Sequence, residues 1–294
     1  MKYSSHTIGI FYAVAAFLFW GMVPIYFKQV SDVNALEVLM HRVVWSVVVL
    51  LVLLGISKQF NQIKPILKNP SQIKYLVLSS FFVSLNWLIF IYAINSDKIL
   101  EASLGYFINP LISIFFGYVF FSEKITRNQL IAIGIATFAV IIQLITIGSL
   151  PLISLGLAFS FALYGMVRKK VNIASLPGLF IETLLTTPFA LAYLFYLVSI
   201  DASAFVSNGA YTAVMLSLAG LITVLPLLWF NAATLRLKLS TLGMLQYLGP
   251  SVAFLIAIFI YDEPLSSAKM FTFVLIWIAL ALFSYDILKK KRVG

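Results

Sequence analysis

Apolar runs of about 20 residues, each able to cross roughly 30 Å of hydrocarbon as a helix, follow one another along the whole chain. Ten are legible, at about 8–28, 37–56, 73–94, 100–121, 129–147, 150–167, 177–198, 211–232, 239–260 and 268–288. Lipid offers the backbone no hydrogen-bond partner, so a helix is the expected form of every one of them. Composition agrees: 62% of the 294 residues are hydrophobic and 10% charged, too little polar surface to clothe a soluble domain. The expected fold class is an all-α integral membrane protein of ten transmembrane helices. The first run follows only Lys2. It exceeds a signal-peptide core in length, so it reads as a retained span.

Charge sets the orientation. With the N-terminus inside, the cytoplasmic segments hold Lys2, Lys58, Lys64, Lys68, Lys74, Lys124, Arg127, Arg168, Lys169, Lys170, Arg236, Lys238 and the tail Lys289 to Arg292. The outer segments hold Lys28, Lys98 and Lys269, and Arg42 lies inside a span. Basic residues collect on cytoplasmic loops, so both termini are expected inside. The net charge of +10 is explained the same way, and no nucleic-acid partner is expected. The longest joint, 57–72, could form a surface segment.

Residues 101–123 read as one membrane-crossing helix with Pro110 near its middle, and the plan returns over 241–263. Pro250 and Glu263 follow Pro110 and Glu123 by 140 positions, and Lys238 follows Lys98 by the same offset. The string Trp20-Gly21-Met22-Val23 is matched by Tyr164-Gly165-Met166-Val167, and Glu37 by Glu182 at an offset of 145. Phe90 and Ala93 are matched by Phe230 and Ala233. The chain thus divides into two five-helix repeats, 1–148 and 149–294. Five is odd, so the second repeat must enter the membrane from the opposite side. Paired broken helices in inverted halves point to a transporter's central cavity, with Pro110 and Pro250 as the bending points.

An ionisable group at mid-membrane costs about 2.5–3.5 kcal/mol on insertion scales, so each is a functional candidate. Glu37 and His41 are four apart and share a helix face, as do Glu101, Gly105 and Asn109. Glu101 is expected to pair with Arg42 or His41 at the outer end of the cavity, to hold a charged group of the solute or a coupling proton. Glu37 also fits a snorkelling role at the interface. Glu182, near the start of its helix, fits either a proton-handling role beside Glu101 and His41 or a dipole-stabilising one. Glu123 and Glu263 are read as capping groups. Trp20, Trp87, Tyr106, Trp229 and Tyr247, with Asn109 and Gln246 as polar anchors, would wall a cavity suited to small amphipathic solutes. Packing alone also accounts for any single aromatic among them.

The residues exclude much chemistry. No phosphate-cradling glycine loop is present, so no ATPase is expected, and no HExxH or GxSxG string occurs. Cysteine is absent and histidine limited to His6 and His41, so no metal or other cofactor is expected. The rivals to a carrier are a membrane-embedded lipid-modifying enzyme using His41 and Glu37, an accessory flippase subunit, and a channel.

Several strings carry a resemblance to a known family: Trp20 to Lys28, His41-Arg42-Val-Val-Trp45-Ser46, Asn86-Trp87, Glu101 to Pro110, Leu155 to Gly165, Arg236 to Gly243, and Gln246-Tyr-Leu-Gly-Pro250. With them the chain resembles the drug/metabolite transporter superfamily in its EamA-type branch, and within that the RarD, or chloramphenicol-sensitivity, group. The resemblance implies ten helices in two inverted halves around a cavity, a bacterial inner-membrane location, and export or exchange of small metabolites or drugs without a fixed substrate. The expected partners are a small-molecule solute and membrane lipid, with a homodimer left open.

Overall fold

The computed structural model describes residues 4–96, 98–147, 151–262 and 267–293, and among them only helices, turns and short connections occur. Ten helices are long and apolar enough to cross a membrane. They are α1 Ser5–Lys28, α2 Ala35–Ser57, α3 Pro70–Asn95, α4 Ile99–Phe121, α5 Arg127–Ile147, α6 Leu152–Val171, α7 Ser175–Ser199, α8 Gly209–Thr234, α9 in two pieces Leu239–Gln246 and Leu248–Phe259, and α10 Ser267–Val293. The ten apolar runs are therefore the ten spans. Two readings at helix ends are corrected. Arg168, Lys169 and Lys170 form the last turn of α6 rather than a loop, where cations suit the negative end of the helix dipole. The joint after α2 folds into a 3₁₀ turn, Phe60–Gln62, and a short helix, Ile63–Leu67, which buries Ile66.

Local sequence explains where several helices begin. Ser4, Asn34 and Asn69 each accept a hydrogen bond from a first-turn amide of α1, α2 and α3, and Pro70 occupies the first position of α3. These are the residue types that satisfy orphan amides at a helix start. Lys58, Ser122 and Asn172 end α2, α4 and α6 in the left-handed conformation.

The two proline-bearing helices differ. Helix α4 continues unbroken through Pro110, whereas α9 is interrupted at Tyr247, three residues before Pro250. A proline is tolerated in a helix's first turn, where its missing N–H is not needed, so the chain restarts its helix just ahead of Pro250. The two helices cross at this level, where the Tyr247 hydroxyl donates to the Phe107 carbonyl at 3.1 Å.

The most extensive pairings are α4 with α6, α3 with α6, α5 with α10, α2 with α8 and α7, α4 with α9, and α1 with α8 and α9. Exchanging every helix with the one five places along returns each of these pairings except α2 with α8, whose counterpart, α3 with α7, is a lesser contact. Polar contacts fasten the outlying pair: Gln143 donates to Thr272 at 2.9 Å, while Thr126 and Asn128 donate to Asp286 at 2.8 and 3.2 Å. Small residues set the approach elsewhere, as is usual where lipid removes the hydrophobic drive between helices. A Cβ on Gly220 of α8 would lie 2.6 Å from both the Cβ and the carbonyl oxygen of Trp45 of α2. Gly134 of α5 has nothing within 4 Å of that position. Gly220→Val is therefore expected to lower stability by about 1–3 kcal/mol, the usual range for overpacking, while Gly134→Ala leaves it unchanged or slightly raised. Thermal unfolding of both variants in detergent checks this.

Candidate functional site

A cavity of about 280 Å³ lies among α1, α2, α3, α4, α6, α8 and α9. It sits toward the end of the bundle where α1 and α3 finish and α2 and α4 begin. Helix α1 presents Phe17, Trp20, Pro24 and Phe27, a stripe at helical spacing. Asn86 and Trp87 come from α3, Gly105, Tyr106 and Asn109 from α4, Thr223 from α8, and Gln246, Gly249 and Pro250 from α9. Arg42 of α2 is the one charged side chain on the wall among the described residues. A second hollow, between Val49 and the Ala213–Leu221 face of α8, is a shallow apolar groove on the lipid side with no charged group.

The polar groups of the wall are individually anchored. The Arg42 Nε donates to the Thr223 hydroxyl at 2.9 Å, and its guanidinium carbon lies 5.1 Å from the Trp87 ring centre and 5.6 Å from that of Phe27. Asn86 donates from Nδ2 to the Leu157 carbonyl and the Ser160 hydroxyl at 2.9 and 3.0 Å, which ties α3 to α6. Asn109 accepts from Ser113 at 3.1 Å.

Of the residues singled out in the sequence, the wall thus gathers Trp20, Arg42, Trp87, Tyr106, Asn109, Gln246 and Pro250. The others lie elsewhere. Glu101 does not meet Arg42 or His41; it pairs with Lys98 at 3.7 Å, because three residues place the two on one face of the first turn, at the rim. His41 turns behind the wall, 3.9 Å from Glu37 and stacked on Phe205 at 4.8 Å. Glu37 does not snorkel: it is buried and accepts from the Ser203 hydroxyl and the Phe205 amide at 3.1 and 3.3 Å. Trp229 points away from the cavity and meets Phe19 edge-on at 5.8 Å. Tyr247 is fully buried in the α4–α9 crossing, and Pro110 does not reach the wall. Phe17, Phe27, Phe161 and Thr223 were missed, since a phenylalanine or threonine in an apolar helix carries no signal that distinguishes a wall position from packing.

The opposite end of the bundle is sealed. In α9 the stretch Leu239 to Met244 is buried, and Glu123 caps its start, accepting from the Leu239 and Ser240 amides at 2.6 and 2.9 Å and from the Ser240 hydroxyl at 2.7 Å. Glu123 thus caps α9 rather than the helix it follows; Glu263 lies outside the described residues. Lys169 donates to the carbonyls of Thr234, at 3.3 Å, and Leu237. Glu182 sits here too, in a buried network: it accepts from Ser79, from Tyr164 at 3.5 Å and from Arg168 at 3.4 Å, while the Tyr164 hydroxyl also bonds Asn231. Arg168, read in the sequence as a loop charge, is 1% exposed. Gly178 makes room for it, since a Cβ there would fall 2.9 Å from its Nη2. Among the described residues no group of three or more His, Cys, Asp or Glu could hold a metal.

A buried pair is costly to halve, because the survivor keeps its desolvation penalty without compensation. Arg168→Met is expected to destabilise by about 3–5 kcal/mol, and the double variant Arg168→Met with Glu182→Met to recover much of that loss. Unfolding of both single variants and the double variant closes the cycle.

Comparison with known proteins agrees with this architecture. Residues 7–145 match the EamA-like transporter family. The chain is 46% identical to Protein RarD of Salmonella typhi over 284 residues, covering 97% of each chain. It is 45% identical to Protein RarD of Escherichia coli strain K12, covering 97% of this chain and 96% of that one. To the uncharacterized transporter YojE of Bacillus subtilis it is 40% identical, covering 100% and 99%. A crystal structure of a protein with 14% identity superposes with a TM-score of 0.73 over 97% of this chain and 99% of that chain, which is a likeness of fold. Ten spans and bacterial relatives of this kind make it a multi-pass protein of the bacterial inner membrane. The chain belongs to the EamA-like transporter family, in its RarD group.

Proposed function

We propose that this protein is a secondary carrier that exports or exchanges small amphipathic metabolites or drugs by alternating access. The observation that carries the reading is the contrast between the two ends of the bundle. A cavity with an aromatic wall and few polar anchors lies toward one end, and the other is filled by the buried first piece of α9. Trp20, Arg42, Trp87, Tyr106, Asn109 and Gln246 would contact the solute in this state. On the distribution of Lys and Arg the end nearer the cavity would be the outer one.

The neighbour pattern supports the remaining part of the reading, that 1–148 and 149–294 are inverted repeats. Most of the extensive pairings recur when each helix is exchanged with the one five places along, α2 with α8 being the exception, and five spans per half would reverse the direction of entry. Two such halves have two arrangements of nearly equal merit, one open to each side. Passage from one to the other would require the Glu123 cap and the Lys169 bonds at the sealed end to part while the wall around Trp20 and Trp87 closes. No phosphate-binding loop is present, so solute or ion gradients would supply the drive.

The chain contains no cysteine, so single-cysteine variants report access directly. Ala253→Cys, on the cavity wall, is expected to react with an impermeant maleimide from the outside, and Met244→Cys, buried at the sealed end, to react weakly from either side. Glu123→Gln or Lys169→Met, added to each of these variants in turn, is expected to raise cytoplasmic labelling of Met244→Cys and to lower outside labelling of Ala253→Cys. Labelling of both positions that never varies reciprocally, together with no counterflow of any solute in proteoliposomes, would overturn the carrier reading.

A further inference from the structure

The cavity holds a cation with no described counter-charge, and its geometry leaves one part of that cation free. Arg42 forms no ion pair with any described carboxylate: Glu37 serves Ser203 and Phe205, and Glu101 serves Lys98. An uncompensated charge at this depth is expensive, and such groups in membrane proteins are kept for what they bind. The guanidinium has two faces and one fixed edge. The rings of Trp87 and Phe27 lie over it at 5.1 and 5.6 Å, and its Nε edge is committed to Thr223 at 2.9 Å. What remains is the fork of its two Nη nitrogens, which make no hydrogen bond to any described residue. That fork matches two carboxylate oxygens side by side, whereas it repels an amine and bonds only weakly to a neutral amide.

A second group on the wall narrows the ligand further. The Oε1 of Gln246 is buried without a hydrogen-bond partner among the described residues. A buried acceptor left empty costs about 1–3 kcal/mol, so it calls for a donor from the solute. The rest of the wall is largely aromatic and aliphatic. We propose that the solute is a small organic anion: an apolar or aromatic body whose carboxylate lies in the Nη fork of Arg42 and whose hydroxyl or other donor reaches Gln246. The volume of about 280 Å³ lies just below the roughly 300–1,000 Å³ typical of ligand pockets, which favours a single-ring body. This inference rests on the carrier reading for its physiological meaning, but the site itself is testable by binding alone.

Mandelate carries the three features on one ring; phenylacetate lacks the hydroxyl, mandelamide the charge, and 2-amino-1-phenylethanol reverses the charge. Binding to purified protein is read by quenching of tryptophan fluorescence, since Trp20 and Trp87 line the cavity. Counterflow of labelled mandelate in proteoliposomes is read separately. Mandelate is expected to bind tightest, phenylacetate more weakly, and the amide and amine least. Arg42→Gln should weaken mandelate by about 10–100-fold, the range for a charge-assisted bond, with Arg42→Lys in between. Gln246→Leu should erase the preference for mandelate over phenylacetate. Equal binding of the amide or amine, mandelate affinity that survives Arg42→Gln within about twofold, or no binding of either acid would overturn the anion site. Arg42-dependent binding without counterflow would uphold the site and sink the carrier reading. Counterflow of the neutral or cationic probes alone would do the reverse.

Discussion

Hydrocarbon has no hydrogen-bonding capacity, so every backbone amide and carbonyl at membrane depth must find its partner within the protein. That constraint makes each long segment a helix, and it also decides where a helix can be broken. The interruption of α9 at Tyr247 occurs where the segment is packed against α4 and borders the cavity, not where it meets lipid. Irregular backbone is tolerated there because the segment meets its own polar groups at the break: the Tyr247 amide donates to the Met244 carbonyl at 3.3 Å, and the Tyr247 carbonyl accepts from the Ser251 amide and hydroxyl at 3.1 and 2.7 Å. Pro110, by contrast, is carried inside a continuous helix. The two crossing helices therefore accommodate a proline in two different ways.

Charge is handled by the same economy. Four ionisable groups within or beside the membrane zone are each met by a different arrangement. Glu123 receives two amides and a hydroxyl at the start of α9, which suits an anion at a positive helix end. Glu37 receives a hydroxyl and an amide from the segment that leads into α8. Glu182 is matched by Arg168 and by neutral side chains. Arg42 alone of the four is met by rings and one hydroxyl, in a cavity. The first three hold helices together; the fourth is left with donors to spare, on the wall of the cavity.

Much of this was legible in the chain because its cause is one-dimensional. Length and apolar content place ten spans. The cavity wall was legible where a residue is unusual for its surroundings: an arginine, an asparagine or a glutamine in an apolar helix. It was not legible where the type is ordinary, as for Phe17, Phe27 and Thr223. Pairings were the weakest point. The positions of Glu101, Arg42 and His41 near helix ends suggest a pairing of Glu101 with Arg42 or His41, yet Lys98 stands three residues away at the cap of the same helix and needs no neighbouring helix to reach it.

The amino-acid order by itself determined the number of spans, their helical form, the class of protein and the family, since these follow from hydropathy, backbone chemistry and motif strings. Only the tertiary structure decided which polar groups are satisfied and which face a hollow. Burial of Arg168 depends on the room that Gly178 leaves, and the free fork of Arg42 depends on Trp87, Phe27 and Thr223 arriving from three other helices. Such facts depend on distances between segments far apart in the chain, and no local spacing encodes them.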